Sequence, residues 1–250
     1  MEQLLRATAR AETRHFWFRG FRAFVLPLLA RAAGDRRDPR LLDCGCGTGA
    51  NVDLLGRFGR AFGFDLSPVG LRIGRAAGRS RLARASVAAA PFSAGAFDIV
   101  TSFDVLYSLS DAEERTALAE MYRLLAPGGF ALVNVAAMDV LRGDHSVLSH
   151  ERRRYSRDDL RARLTAAGFT IVRLTYTNAV LFLPLAASRL FQRVRGLRSE
   201  ADAQHEIAVP SAPVNALLSA LLWLESLWIR RFDAPFGSSL LCLARKPDVP

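Results

Sequence analysis

A chain of 250 residues that is 50% hydrophobic and 23% charged is long enough for one large domain or two small ones, and too apolar to stay unfolded. A sheet domain of this length buries roughly 70 to 75% of the surface its unfolded chain exposes, so it needs no disulfide or metal to hold it. Its odd number of cysteines, Cys44, Cys46 and Cys242, points to a reducing, cytoplasmic setting. The net charge of +10 is almost wholly arginine, since Lys246 is the only lysine, and the arginines are spread along the chain rather than gathered in one stripe. That distribution argues against nucleic acid as a partner.

Met1 to Arg14 mixes charges with apolar residues, unlike the basic cap and apolar core of an export signal. Periodicity predicts helix through most of the first forty residues, with an aromatic cluster at His15, Phe16, Trp17 and Phe18 and an apolar run from Phe21 to Ala33. Gly34 to Pro39 breaks the pattern, and short β-rich runs follow at 40–44, 61–65, 83–87, 97–103 and 130–137, separated by helical segments. Ser67 caps a helix that opens on Pro68 and runs to about Gly78. Asp111 to Leu125 has an acidic first turn and is stopped by Pro127, Gly128 and Gly129, and Arg157 to Ala167 is closed by Gly168 before a strand from Phe169 to Tyr176. The last strand is Ser239 to Ala244. Strands alternating with helices imply an α/β fold with a parallel sheet covered on both faces.

Between the last two strands lie two apolar helical stretches, Val180 to Val194 and Val214 to Ile229, joined by a polar linker around Arg198 to Gln204. A structureless loop of that length is uncommon in a compact domain, so the segment reads as a helical subdomain. The chain then divides into an N-terminal helical lid (1–39), a core (40–177 and 238–246) and a helical insertion capping the substrate (178–237). Pro213, Asn215 and Glu225 interrupt the stretch from Ala212 to Ile229, which argues against a membrane span. The apolar helices are read in three ways: as walls of an acceptor pocket, as a weak membrane-surface contact, or as a cover for the sheet.

The sharpest local signal is Leu41-Leu42-Asp43-Cys44-Gly45-Cys46-Gly47-Thr48-Gly49, placed where a strand turns into a helix, with Asp65 at the end of the next strand. Glycines there let backbone approach a ligand, and a carboxylate beside them suits a ribose diol. Gly45, Gly47 and Ala50 also satisfy a dinucleotide pattern. Asp43 two positions before the first glycine, and a terminal strand after a long helical excursion, weigh against a nicotinamide oxidoreductase. The spacing of Cys44 and Cys46 invites a metal, but no second ligand pair is available, so packing beside the loop is preferred and no metal site is expected.

With Phe97-Asp98-Ile99-Val100-Thr101-Ser102-Phe103-Asp104-Val105-Leu106 and Leu124-Leu125-Ala126-Pro127-Gly128-Gly129 following in order, the chain from about Leu41 to Lys246 resembles the class I S-adenosylmethionine-dependent methyltransferases. His15-Phe16-Trp17-Phe18-Arg19 and His150-Glu151-Arg152-Arg153-Arg154-Tyr155 resemble a bacterial small-molecule subgroup. The resemblance implies a Rossmann-like, seven-stranded, mostly parallel sheet with an antiparallel last strand. It implies S-adenosylmethionine as cofactor, bound by Asp43, Gly45, Cys46, Gly47 and Gly49, by Asp65 and Leu66, by Ser86 and Val87 where the family usually has an aspartate, and by Ser102, Phe103 and Tyr107. Trp17 would close the pocket and Arg19 would pair with the methionine carboxylate; the alternative makes Phe16, Phe18 and Phe21 a core-facing stripe and Arg19 a solvated side chain.

The implied reaction is methyl transfer by in-line displacement to the oxygen, nitrogen or carbon of a small, fairly apolar metabolite. A base helps if the acceptor is a hydroxyl. His145, His150 and Tyr155 follow the fifth strand at the edge where such sheets bind ligands and are the candidate catalytic groups, with His150, beside the arginine run and Tyr155, ranked first. The competing class is a peripheral membrane or scaffold protein that binds the nucleoside without turnover. The oligomeric state is left open.

Overall fold

The computed structural model describes residues 2–198 and 207–248; most of the polar linker expected between the insertion helices, with His205, lies outside them. Seven strands form one sheet in the order β3-β2-β1-β4-β5-β7-β6. They are β1 (Arg40–Cys44), β2 (Arg60–Asp65), β3 (Leu82–Arg84), β4 (Phe97–Phe103), β5 (Leu125–Ala136), β6 (Thr170–Thr177) and β7 (Ser239–Arg245). All neighbours pair in parallel except β7, which runs antiparallel between β5 and β6. The central strands are apolar on both faces because helices cover both: in β4, Phe97, Ile99, Val100 and Phe103 are all buried.

One face is covered by α2 (Phe16–Ala33), α3 (Ala50–Leu55), α4 (Pro68–Ala76) and α9 (Ala212–Ile229), through a cluster containing Val25, Leu29, Leu41, Leu55, Leu71, Ile99, Leu222 and Leu243. The other face carries α5 (Asp111–Leu124) and α7 (Arg157–Ala166), whose Leu118, Met121, Leu160 and Leu164 pack on Leu42, Val100 and Val133. Among the described residues, α1 (Glu2–Ala11), α6 (Asp144–Leu148) and α8 (Phe182–Arg195) complete the helices.

The structure departs from the sequence expectations at two kinds of place. The turn predicted at Pro127-Gly128-Gly129 lies inside β5, which starts directly after α5: Gly128 takes φ +71°, the register against β4 shifts between Phe97 and Ile99, and Gly128 N donates to Lys246 O at 3.1 Å. The glycines therefore bend a continuous strand rather than separate two elements. Helices α3 and α6, of six and five residues, are too short to show a periodic stripe in sequence.

The N-terminal aromatic cluster proves to be a junction. His15 caps α2, its Nδ1 accepting from Trp17 N at 3.2 Å. Asn215 on α9 accepts from Phe16 N at 2.8 Å and donates to Arg14 O at 2.9 Å, satisfying two backbone groups at the start of α2. Gly20 lets the helices touch, since a Cβ there would lie 2.4 Å from Leu222 Cδ1.

Candidate active site

The strand order reverses direction between β1 and β4, and open sheets of this kind bind ligands outside the carboxyl ends of the strands at such a point. The glycine loop sits there. Gly45, Gly47 and Gly49 have φ of +82°, +55° and +80°, a region closed to most side chains. A Cβ on Gly45 would also lie 2.5 Å from Val105 Cγ2, and the Gly45 and Cys46 amides donate to Phe64 O at 2.9 Å, tying the loop to β2. At the end of β2, Asp65 accepts from Gly47 N at 2.8 Å and Ser67 N at 2.7 Å, which holds the carboxylate rigid with lone pairs to spare. Leu66 beside it is 64% exposed, an apolar surface at the mouth of the site.

Asp43 stands behind the loop, buried, accepting from Thr101 Oγ1 at 2.6 Å, while its Oδ2 has no hydrogen-bond partner. Burial pushes its carboxyl up to about 7, against the Thr101 hydrogen bond and with help from the charge of Asp65. A buried carboxylate oxygen without a donor is costly unless a ligand completes it. The neighbouring Ser102 Oγ is likewise buried and unpaired. Cys44 and Cys46 are buried with thiols pushed up chiefly by burial. On the β3 side, Ser86 Oγ accepts from Ala88 N at 3.2 Å, and Ala85 N donates to Asp65 O, so the 85–88 turn adjoins the β2 end, with Val87 half-buried against the core.

The central acid of the cleft is Asp104, directly after β4. It adopts φ +59°, tolerable for Asp, and Asn134 Nδ2 on β5 donates to its Oδ1 at 2.9 Å. Asp104 is exposed at the surface of the site, and the protein atoms around it raise its carboxyl, with Glu151 adding to the rise and Asn134 and Arg154 opposing it. Nothing in the sequence distinguished Asp104 from the other residues of the strand motif; its backbone conformation and its partner on β5 appear only once the strands are side by side.

The segment after β5 closes the far side of the cleft. Arg154 and Glu151 form a buried pair at 2.7 Å, and Ser146 Oγ donates to Glu151 at 3.0 Å. His145 on α6 is half-buried, and burial, with the charges of Arg189 and Arg154, pushes it down to about 4, so it is neutral at pH 7. His150 is exposed in a turn with φ +51°.

Other expected site residues are held elsewhere. Tyr155 is fully buried with its hydroxyl donating to Glu114 at 2.9 Å, and Glu114 also pairs with Arg153 and Arg163. Tyr155 is therefore a strut between the 150s segment and α5, which corrects its reading as a catalytic group. Tyr107 is buried with its hydroxyl bonded to Ser149, while its carbonyl accepts from Arg152 N and Arg153 N. Phe103 points into the α2 core, edge-on to Phe21 at 5.0 Å. Arg19 is exposed near the like-charged Arg22, and Trp17 is half-buried, edge-on to Phe16. Phe18, rather than Trp17, packs with Ala7, Ala11, Leu148 and Ile207, where α1, α6 and the insertion converge.

Helix α1 itself lies on the glycine loop. Leu5 Cδ2 is 3.1 Å from where a Gly47 Cβ would be, and past the helix end Glu12 accepts from Thr48 Oγ1 at 2.7 Å and pairs with Arg79 at 3.5 Å.

Comparison with known proteins decides the family. The profile described as a methyltransferase domain matches residues 13–174. The chain belongs to the methyltransferase domain family. S-adenosylmethionine is its cofactor, and the unpaired Asp43 oxygen, the glycine cradle and the preset Asp65 carboxylate fit that group's ammonium, backbone and ribose. Among solved structures, the 4+2 cyclase SpnF is 26% identical, with a TM-score of 0.56, over 89% of this chain and 80% of that one. A methyltransferase from Thermotoga maritima is 18% identical, with a TM-score of 0.59, over 98% of this chain and 100% of that one. Phosphoethanolamine N-methyltransferase 2 of Haemonchus contortus, in complex with S-adenosyl-L-methionine, is 21% identical, with a TM-score of 0.56, over 89% of this chain and 52% of that one. No curated protein matches the chain significantly.

Proposed function

We propose that this methyltransferase acts on a small, fairly apolar metabolite and that Asp104 accepts the proton its acceptor group releases. The observation that carries the reading is Asp104 itself: a carboxyl at the carboxyl end of β4, facing the cleft, aimed by Asn134 and raised to about 7. A base whose affinity for protons matches the ambient pH is the most effective. His145, pushed down to about 4, is a weaker base.

When bound, the cofactor supplies a sulfonium-activated methyl group open to in-line displacement by an electron-rich atom. Asp43 would hold the ammonium, the Gly45–Gly49 backbone would take the amino-acid portion, and Asp65 would hold the ribose hydroxyls, with Leu66 and the Ser86–Val87 turn beside the base. Phe18, Leu148 and Ile207 pack into an apolar cluster where α1 and α6 meet beside the glycine loop, and the apolar character of that wall motivates the reading of an apolar acceptor. Alignment of the reactants accounts for on the order of 7 to 11 kcal/mol of barrier lowering.

The test is a panel of hydroxylated and aminated metabolites incubated with donor labelled on its methyl group. Label passes to an apolar acceptor, and Asp104→Asn, which suits the same backbone conformation, lowers turnover at pH 7 by about 10²-fold while leaving the cofactor-induced thermal shift intact. Turnover unchanged in Asp104→Asn removes it as the base. The likeness to a cyclase motivates a second reading, binding of the cofactor without transfer; cofactor binding with no demethylated product over the whole panel would favour it.

A further inference from the structure

The outward faces of α8 and α9 are apolar. Leu217, Trp223, Leu224 and Trp228 of α9 are exposed, as are Phe191 and Val194 of α8. Soluble surfaces rarely leave a run of this kind uncovered. Helix α9 is tied to the turn before α8, where Glu225 accepts from Ala179 N at 2.8 Å and Val180 N at 3.1 Å, and the first ring of α8, Phe182, meets Phe236 of the segment after α9 at 5.3 Å. Arginines flank the apolar faces: Arg230 and Arg231 are exposed directly after α9, while at the end of α8 Arg193 donates to Val140 O and Arg195, with Arg198 beyond it, pairs with Asp144.

Helix α9 is long and apolar enough to cross a membrane by length and composition, and 28% of it is buried in the protein. Its polar residues show how it sits. Asn215 and Glu225 both face inward, the first bonded to Phe16 N and Arg14 O, the second to the turn before α8. Insertion across a bilayer would break all four bonds and carry a carboxylate into hydrocarbon. Held by that face, α9 offers the opposite one to a surface.

We infer that α8 and α9 dock the protein on an anionic lipid surface, the apolar and aromatic side chains entering the boundary between headgroups and acyl chains and Arg230 and Arg231 meeting lipid phosphates. Aromatic side chains favour that boundary, and an apolar helix face bordered by arginine is the pattern of an interfacial helix. Charge selects this occupant over a second copy of the chain, which carries the same +10 and would bring arginine against arginine. The inference holds whichever acceptor is methylated.

Flotation of the full chain with phosphatidylcholine vesicles containing phosphatidylglycerol, and with phosphatidylcholine alone, tests it. Binding is expected to the anionic vesicles and to weaken between about 0.1 and 0.5 M salt. Leu217→Glu with Leu224→Glu should lower binding at least about tenfold, with the cofactor-induced thermal shift retained as evidence of folding. Arg230→Glu with Arg231→Glu should lower binding to anionic vesicles by about fivefold or more per residue. Absence of binding to anionic vesicles, or undiminished binding by the folded Leu217→Glu, Leu224→Glu protein, overturns the inference. So does a dimer that those two substitutions dissociate in a protein that ignores vesicles.

Discussion

At the scale of single residues, the site depends on three carboxylates in two different electrostatic situations. Asp65 has both oxygens engaged by backbone amides and keeps lone pairs for a diol, so Asp65→Ala is expected to weaken cofactor binding by about 1 to 3 kcal/mol, read by titration calorimetry. Unchanged affinity would remove it from the site. Asp43 and Asp104 are instead raised by lost hydration, and each has one well-placed donor, Thr101 and Asn134. The acid of β2 was legible in sequence, because a carboxylate following a glycine loop at the end of the next strand is a pattern of spacing. Asp104 was not, because what sets it apart is a positive φ and a partner on β5, thirty positions along the chain. Tyr155 was misread for the matching reason: its place next to an arginine run suggested an open loop, while full burial against Glu114 follows from how α5 and α7 flank it.

At the scale of elements, the glycine loop, the alternation of strands and helices and the two insertion helices were readable from punctuation and periodicity. The role of the first aromatic cluster was not, since the residue that explains it, Asn215, is about two hundred positions away. Asn215→Leu should leave Phe16 N and Arg14 O without their partners, destabilising the protein by about 1 to 3 kcal/mol in a denaturant titration. A change below about 0.5 kcal/mol would show that water serves those two groups equally well. The capping box of α5, in which Ser110 and Glu113 bond reciprocally, keeps that helix start fixed close to Asp104.

At the scale of the whole molecule, the displaced groups give stability a pH dependence whose sign can be worked out. Asp43 keeps its proton to about 7 when folded, against 3.8 ordinarily, so its contribution to stability falls as pH rises from about 4 through about 7 and then levels. His145 acts oppositely: folded it stays neutral down to about 4 against 6.5, so its contribution is lost as pH falls between those values. Asp43→Asn removes one descending contribution. In cofactor-free protein its stability relative to the parent should rise from pH 5 to pH 8, by no more than about 1.4 kcal/mol per pH unit, followed by thermal unfolding. A difference constant across that range would show that Asp43 titrates normally.

The contact between Glu12, Thr48 and Arg79 fastens the N-terminal segment to the loop that cradles the donor. Thr48 lies between two of the loop's glycines, so a substitution that removes the Glu12 carboxylate takes one hydrogen bond and one ion pair away from the backbone that shapes the cradle, although Glu12 itself stands outside it.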